Sequence, residues 1–117
     1  MPTKIIEQQV QKTDLLDLEL KSTYGALVKA VVDVERAIMI AGMSMHSDGE
    51  EGLLKDGSKQ ADLWGINLYL QQSGDEWIEY DSVINLRPSH GNVSRGVDDP
   101  NIRQKIREIV NQLVKPT

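Results

Sequence analysis

Residues 77–103, WIEYDSVINLRPSHGNVSRGVDDPNIR, decide the reading of the fold, because they run from a strand-like period through a polar loop into a helix start. Ile78, Tyr80, Ile84 and Leu86 alternate with Glu79, Asp81, Val83 and Asn85, the period of two expected of a strand with one buried face. Pro88 removes a backbone donor and ends that ladder. In the following loop Gly91 and Gly96 supply unusual backbone angles and Asn92 and Ser94 supply local hydrogen bonds, so the loop is expected to be structured. Asp99 followed by Pro100 pairs a capping carboxylate with proline at the first helical position. Beyond it Ile102, Ile106, Ile109, Val110 and Leu113 recur at helical spacing, an apolar stripe that needs a sheet to cover.

Working outward, residues 63–70 and 77–87 flank a turn of Ser73, Gly74 and Asp75 and form one expected hairpin. A second hairpin is expected from the β-branched run 27–34 and the apolar run 37–45, and their apolar character at nearly every position predicts a central place in the sheet. Thr13 has the chemistry of an N-cap for a helix over residues 14–24, with Leu16, Leu20 and Tyr24 spaced by four and Gly25 closing it. Asp48 and Glu51 form an expected capping box for a short helix over 50–55, ended by Gly57, while residues 4–10 are ambiguous. The order of elements predicts an α+β fold. Its mainly antiparallel four-stranded sheet of two hairpins would be covered on one face by the N- and C-terminal helices, with the short helix between the hairpins.

A chain of 117 residues with 39% apolar content suits one domain over 1–117, with its core over about 14–114 and residues 1–12 unassigned. Its 13 basic and 18 acidic residues give a net charge of −5, which makes nucleic acid or an anionic membrane a poor partner. Without cysteine there is no disulfide framework, thiol nucleophile or cysteine-ligated metal. The first twelve residues have no apolar core of signal-peptide length, and no window approaches the roughly 20 apolar residues of a membrane span. A cytoplasmic protein is expected.

The segments VKAVVDVE (28–35), GSKQADLWGINLY (57–69) and INLRPSHGNVSRGVDDP (84–100) resemble a family of short prokaryotic proteins known only as a domain of unknown function. The resemblance spans about 27–114 and implies a common fold and a prokaryotic origin. It carries over no activity and no catalytic residue.

The candidate chemistry therefore comes from the residues. Asp33, Asn67, Tyr69, Asp81, Asn85 and Arg87 would share the strand face opposite the core, near a loop bearing His90, Asn92, Ser94 and Arg95. Such a face, with the loop from Arg87 to Gly96, would hold a small polar ligand or a partner. A solvated face with cross-strand charge pairs accounts for the same pattern and ranks ahead of it. His90 between Arg87 and Arg95 is the arrangement a small phosphodiester-cleaving, ribonuclease-like enzyme would use, with loop-pinning by the arginines as the structural alternative. His46 with Asp48, Glu50 and Glu51 is the densest set of metal-ligand types and defines a metal-dependent hydrolase as a further alternative, but it lacks HExxH or calcium-loop spacing, so no metal is expected. Trp64 and Trp77 read as packing residues, and no cofactor is expected. A homodimer through a sheet edge or the apolar Met39 to Met45 strand is the partner reading.

Overall fold

A computed structural model describes residues 3–22 and 25–115. The centre is β4 (Gly25–Asp33), which pairs antiparallel with β5 (Ile38–Ala41) and with β6 (Leu63–Tyr69), the latter over the full register from Leu27↔Tyr69 to Asp33↔Leu63. β1 (Lys4–Ile6) extends the sheet beyond β5, β7 (Ile78–Glu79) extends it beyond β6, and β3 (Leu20–Ser22) pairs with the start of β4. A separate two-stranded parallel pair joins β2 (Val10–Gln11) to β8 (Val114–Lys115).

The mixed α+β class with an antiparallel sheet is borne out, and its finer arrangement differs from expectation. The sheet has six strands rather than four, because the ambiguous residues 4–10 supply β1 and residues 20–22 supply β3. The two α-helices lie on opposite faces. Val28, Ala30 and Val32 of β4 pack with Ile106, Ile109, Val110 and Leu113 of α2 (Pro100–Leu113), whereas Val31 packs with Ile38, Ile40, Met43, Leu63 and Leu53 of α1 (His46–Lys55). Burial on both sides is why β4 and β5 read as apolar at nearly every position. β5 is therefore an interior strand, held by β1 on one side and β4 on the other, so Ile38–Ala41 presents no free edge.

Three local expectations are corrected. The expected N-terminal helix is a 3-10 helix, Lys12–Leu18, with Leu15 and Leu18 in the core, after which the chain extends into β3; Tyr24, its expected end, lies outside the described residues. α1 begins at His46, and Asp48 sits inside its first turn rather than capping it; the N-cap is Met45, whose side chain bonds nothing there. The long strand expected over 77–87 lasts only for Ile78–Glu79. The Ser82 hydroxyl then accepts the Ile84 N–H at 3.3 Å and starts a 3-10 turn, Val83–Asn85. A hydroxyl that offers the backbone a local partner competes with the ladder, and here it wins.

The start of α2 is as expected, with Pro100 first in the helix and Asp99 Oδ1 accepting the Asn101 N–H at 2.8 Å. Two close approaches depend on glycine. At Gly65 a Cβ would stand 2.6 Å from Ser82 Cβ, so the turn lies directly on the β6 backbone. At Gly49 and Gly52 a Cβ would stand 2.5 Å from Met43 Cε and 2.8 Å from Ile40 Cδ1, so α1 lies close against the sheet.

Gly65→Ala is expected to lift the Ser82 turn and lower stability by about 1–3 kcal/mol, read as a fall in the urea midpoint. Ala37, in the β4–β5 turn, holds φ 56. Ala37→Gly relieves that left-handed strain and is expected to leave stability unchanged or raise it by up to about 1 kcal/mol, since glycine's extra unfolded-state entropy offsets part of the gain.

Candidate functional site

Most of the polar residues in the 82–99 segment bond to the protein itself. The Asn85 side chain, fully buried, accepts the Gly65 N–H through Oδ1 at 2.8 Å and donates through Nδ2 to Gly65 O at 3.0 Å and to Arg95 O at 2.9 Å. Asn92, also buried, donates to Asn85 O, Ser94 O and Gly96 O, while its Oδ1 accepts the Asp98 N–H at 2.8 Å. Ser94 donates to Asp98 Oδ1 and accepts the Gly96 N–H. Asp98 also receives the Val93 N–H, and the Ser94 hydroxyl followed by that N–H holds its carboxyl below the usual range. Arg87 donates to Ile84 O, Gln60 O and Leu63 O, and its guanidinium lies over the Trp64 ring, 4.6 Å from the centroid. Asn85, Asn92, Ser94 and the bonded edge of Arg87 are thus the ties of the loop.

The remaining candidates divide between two places. Arg95 pairs with Asp81, Nε to Oδ1 at 2.8 Å, both side chains about half exposed. His90 is exposed and shares a cavity with Arg87, not with Arg95. The three residues of the ribonuclease-like arrangement therefore do not converge. Nor does His46 gather its acidic neighbours: among the described residues no three His, Asp or Glu side chains form a metal-ligand group.

A different set does converge. On the sheet face that α1 covers only in part, a cavity of about 270 Å³ is bounded by Lys29 of β4, His46 at the start of α1, and Arg95. Ser44, Ser47 and Ser82 add hydroxyls. Met45, Val83 and Ile84 form its apolar wall, and Met45 and Val83 are 61% and 64% exposed, so the wall continues to the surface. Asn67 lies across the ladder from Lys29 and donates to Glu79 Oε1 at 2.8 Å and to Asp81 O at 3.3 Å, with Tyr69 donating to the same Glu79 oxygen. Those donations fix the Asn67 amide so that its buried Oδ1 is an acceptor with no hydrogen-bond donor among the described residues. Asp33, expected on this face, instead accepts the Glu35 and Arg36 N–H groups and shapes the β4–β5 turn.

His46 is the residue whose role the sequence hid. Its Nε2 stands 2.7 Å from Ile66 O, and since a carbonyl only accepts, the ring proton is on Nε2. Burial pushes its pKa below 6.5; the bond to Ile66 O opposes that, Lys29 adds to it, and Asp81 and Asn67 oppose it. Lys29 has no ion-pair partner among the described residues. Lys29 does not stand out in the sequence, because it is a single polar position in an apolar strand, and His46 stands out there only as a metal-ligand type beside its acidic neighbours.

A family model described as Protein of unknown function (DUF5674) matches residues 4–113. No curated protein and no solved structure matches the chain. Among the described residues no helix is long and apolar enough to cross a membrane.

Because the folded chain holds a proton on His46 less tightly than the unfolded chain does, His46 leaves stability unaffected well above pH 6.5 and lowers it as pH falls through that value. His46→Gln is expected to remove this acid-side loss, seen by comparing denaturation midpoints of the two proteins across that range. Asn92→Ala leaves several buried carbonyls and one N–H without partners and is expected to cost about 2–4 kcal/mol, measured by the same midpoints.

Proposed function

The chain belongs to this family of unknown function, and we propose that it is a binding module whose cavity between α1, β4 and Arg95 takes a small anion with a short apolar body. One observation carries the reading: Lys29, His46 and Arg95, from three separate segments, bound one cavity of about 270 Å³ on a chain whose net charge is −5. In a chain that is acidic as a whole, two cations around one concavity mark the place where an anion is drawn in. The hydroxyls of Ser44, Ser47 and Ser82 suit its oxygens, and Met45, Val83 and Ile84 suit an attached apolar group.

Among the residues singled out by sequence, this reading keeps Arg95 as a ligand contact and Asn67 and Asp81 as its support. Asn85, Asn92 and Ser94 hold the loop that presents Arg95. The Arg95–Asp81 pair is a surface pair of the kind worth well under about 1 kcal/mol, so Arg95 can turn from Asp81 to a ligand at little cost. The proposal includes a single-domain protein of the prokaryotic cytoplasm, with the prokaryotic origin supported by the family resemblance.

The test is an amide NMR titration with inorganic phosphate, pyruvate and a nucleoside monophosphate. Saturable shifts are expected at residues 44–48, 82–84 and Arg95. Lys29→Ala is expected to weaken the best of these ligands roughly tenfold while the free spectrum stays folded. Absence of saturable shifts for all three, or binding that Lys29→Ala leaves unchanged, would sink the reading.

A further inference from the structure

A second cavity of about 270 Å³ is bounded by Trp64, Arg87, His90, Asn92, Asp99 and Ile102. A neighbouring cavity of about 430 Å³ shares Arg87 and His90 with it. Three groups here have hydrogen-bonding capacity that the described residues leave unused. Trp64 is 6% exposed, and its Nε1–H is buried with no partner among the described residues. A buried donor left without an acceptor is costly and rare, and the ring that carries it forms part of the cavity wall. Arg87 uses three of the five N–H groups of a guanidinium on carbonyls, and no carboxylate pairs with it among the described residues. Its half-buried charge is therefore uncompensated at short range; burial lowers its pKa, and only Glu50 acts in the other direction. The His90 ring makes no hydrogen bond among the described residues and stands exposed at the rim.

We propose that this cavity is a second binding site, one that takes the carboxylate of a small organic acid against the Trp64–Arg87 stack, with His90 at the entrance. The stack presents the guanidinium as a flat, fixed plate, and its two remaining N–H groups match a carboxylate's two oxygens in one plane. Asp99 on the cavity wall disfavours doubly charged anions, so a monocarboxylate fits in preference to phosphate. The site shares no cation with the Lys29–His46–Arg95 cavity and stands independently of it.

The experiment uses the indole region of an amide NMR spectrum, which holds two signals because the chain has two tryptophans. Trp77 Nε1 donates to Asn111 Oδ1 at 3.3 Å, so Asn111→Ala moves only its signal and identifies that of Trp64. Acetate and propionate are added at constant ionic strength, with chloride and phosphate as controls. The expected result is a saturable downfield shift of the Trp64 indole proton with carboxylates. His90→Ala, an exposed and fold-neutral change, is expected to weaken binding roughly fivefold. An unmoved Trp64 signal, an equal response to chloride or phosphate, or an unchanged titration in His90→Ala overturns the proposal. Responses at residues 44–48 alone would speak for the first cavity and against this one.

Discussion

The carboxamide of Asn85 stands beside Gly65 where a neighbouring strand would otherwise stand, accepting its N–H and donating to its carbonyl. That one side chain lets the chain leave the sheet after the two residues of β7 without orphaning the β6 backbone. A buried backbone group must be paired, and an asparagine amide carries the same donor and acceptor as a peptide unit. Everything after Glu79 depends on this substitution. The 3-10 turn can rest on Gly65, Asn85 Nδ2 and the Ser82 N–H together hold Arg95 O, and Asn92 ties Asn85 O to Ser94 O and Gly96 O. The loop that carries the polar chemistry is in this sense folded around two asparagines rather than around a hydrophobic centre.

How much of this was legible follows from which force leaves a pattern. Burial leaves a period, so the β4–β5 hairpin, β6 and α2 were read correctly from Val28 to Val32, Ile38 to Ala41 and Ile102 to Leu113. Asp99 and Pro100 were legible because capping chemistry is local. The face that α1 covers was not, because nothing in residues 46–55 states to which side of the sheet the connection crosses. The strand expected through Leu86 failed for another reason: Ile78 and Ile84 are both apolar, but they serve opposite faces of the sheet, and the alternation between them is broken by the turn at Ser82. A polar residue type announces that it will form hydrogen bonds, not with what. Asn85, Asn92 and Arg87 therefore looked like ligand contacts, while Lys29, which carries more of the candidate site, looked like an interruption in a strand.

The two cationic places differ in rigidity. Arg87 is stacked on Trp64 and tied to three carbonyls, so it offers a fixed plate that loses little entropy when met. Arg95 has a clamped backbone and a half-exposed side chain on one weak ion pair, so its position adapts while its anchor does not. The loop that carries both arginines is held by Asn85, which bonds Gly65 of β6 and the Arg95 carbonyl.

The glycines beneath α1 have a consequence for when that segment is helical. Ten residues containing Gly49 and Gly52, with no side-chain cap, make a segment with little inclination to coil by itself, each glycine costing about 1 kcal/mol relative to alanine. The helix exists because the sheet receives it closely. Its helical form is coupled to docking on the sheet, and the cavity at its first turn exists only while it is docked. An occupant of that cavity acts as a latch, lengthening the time the segment spends docked and withdrawing it from the first openings of the native state.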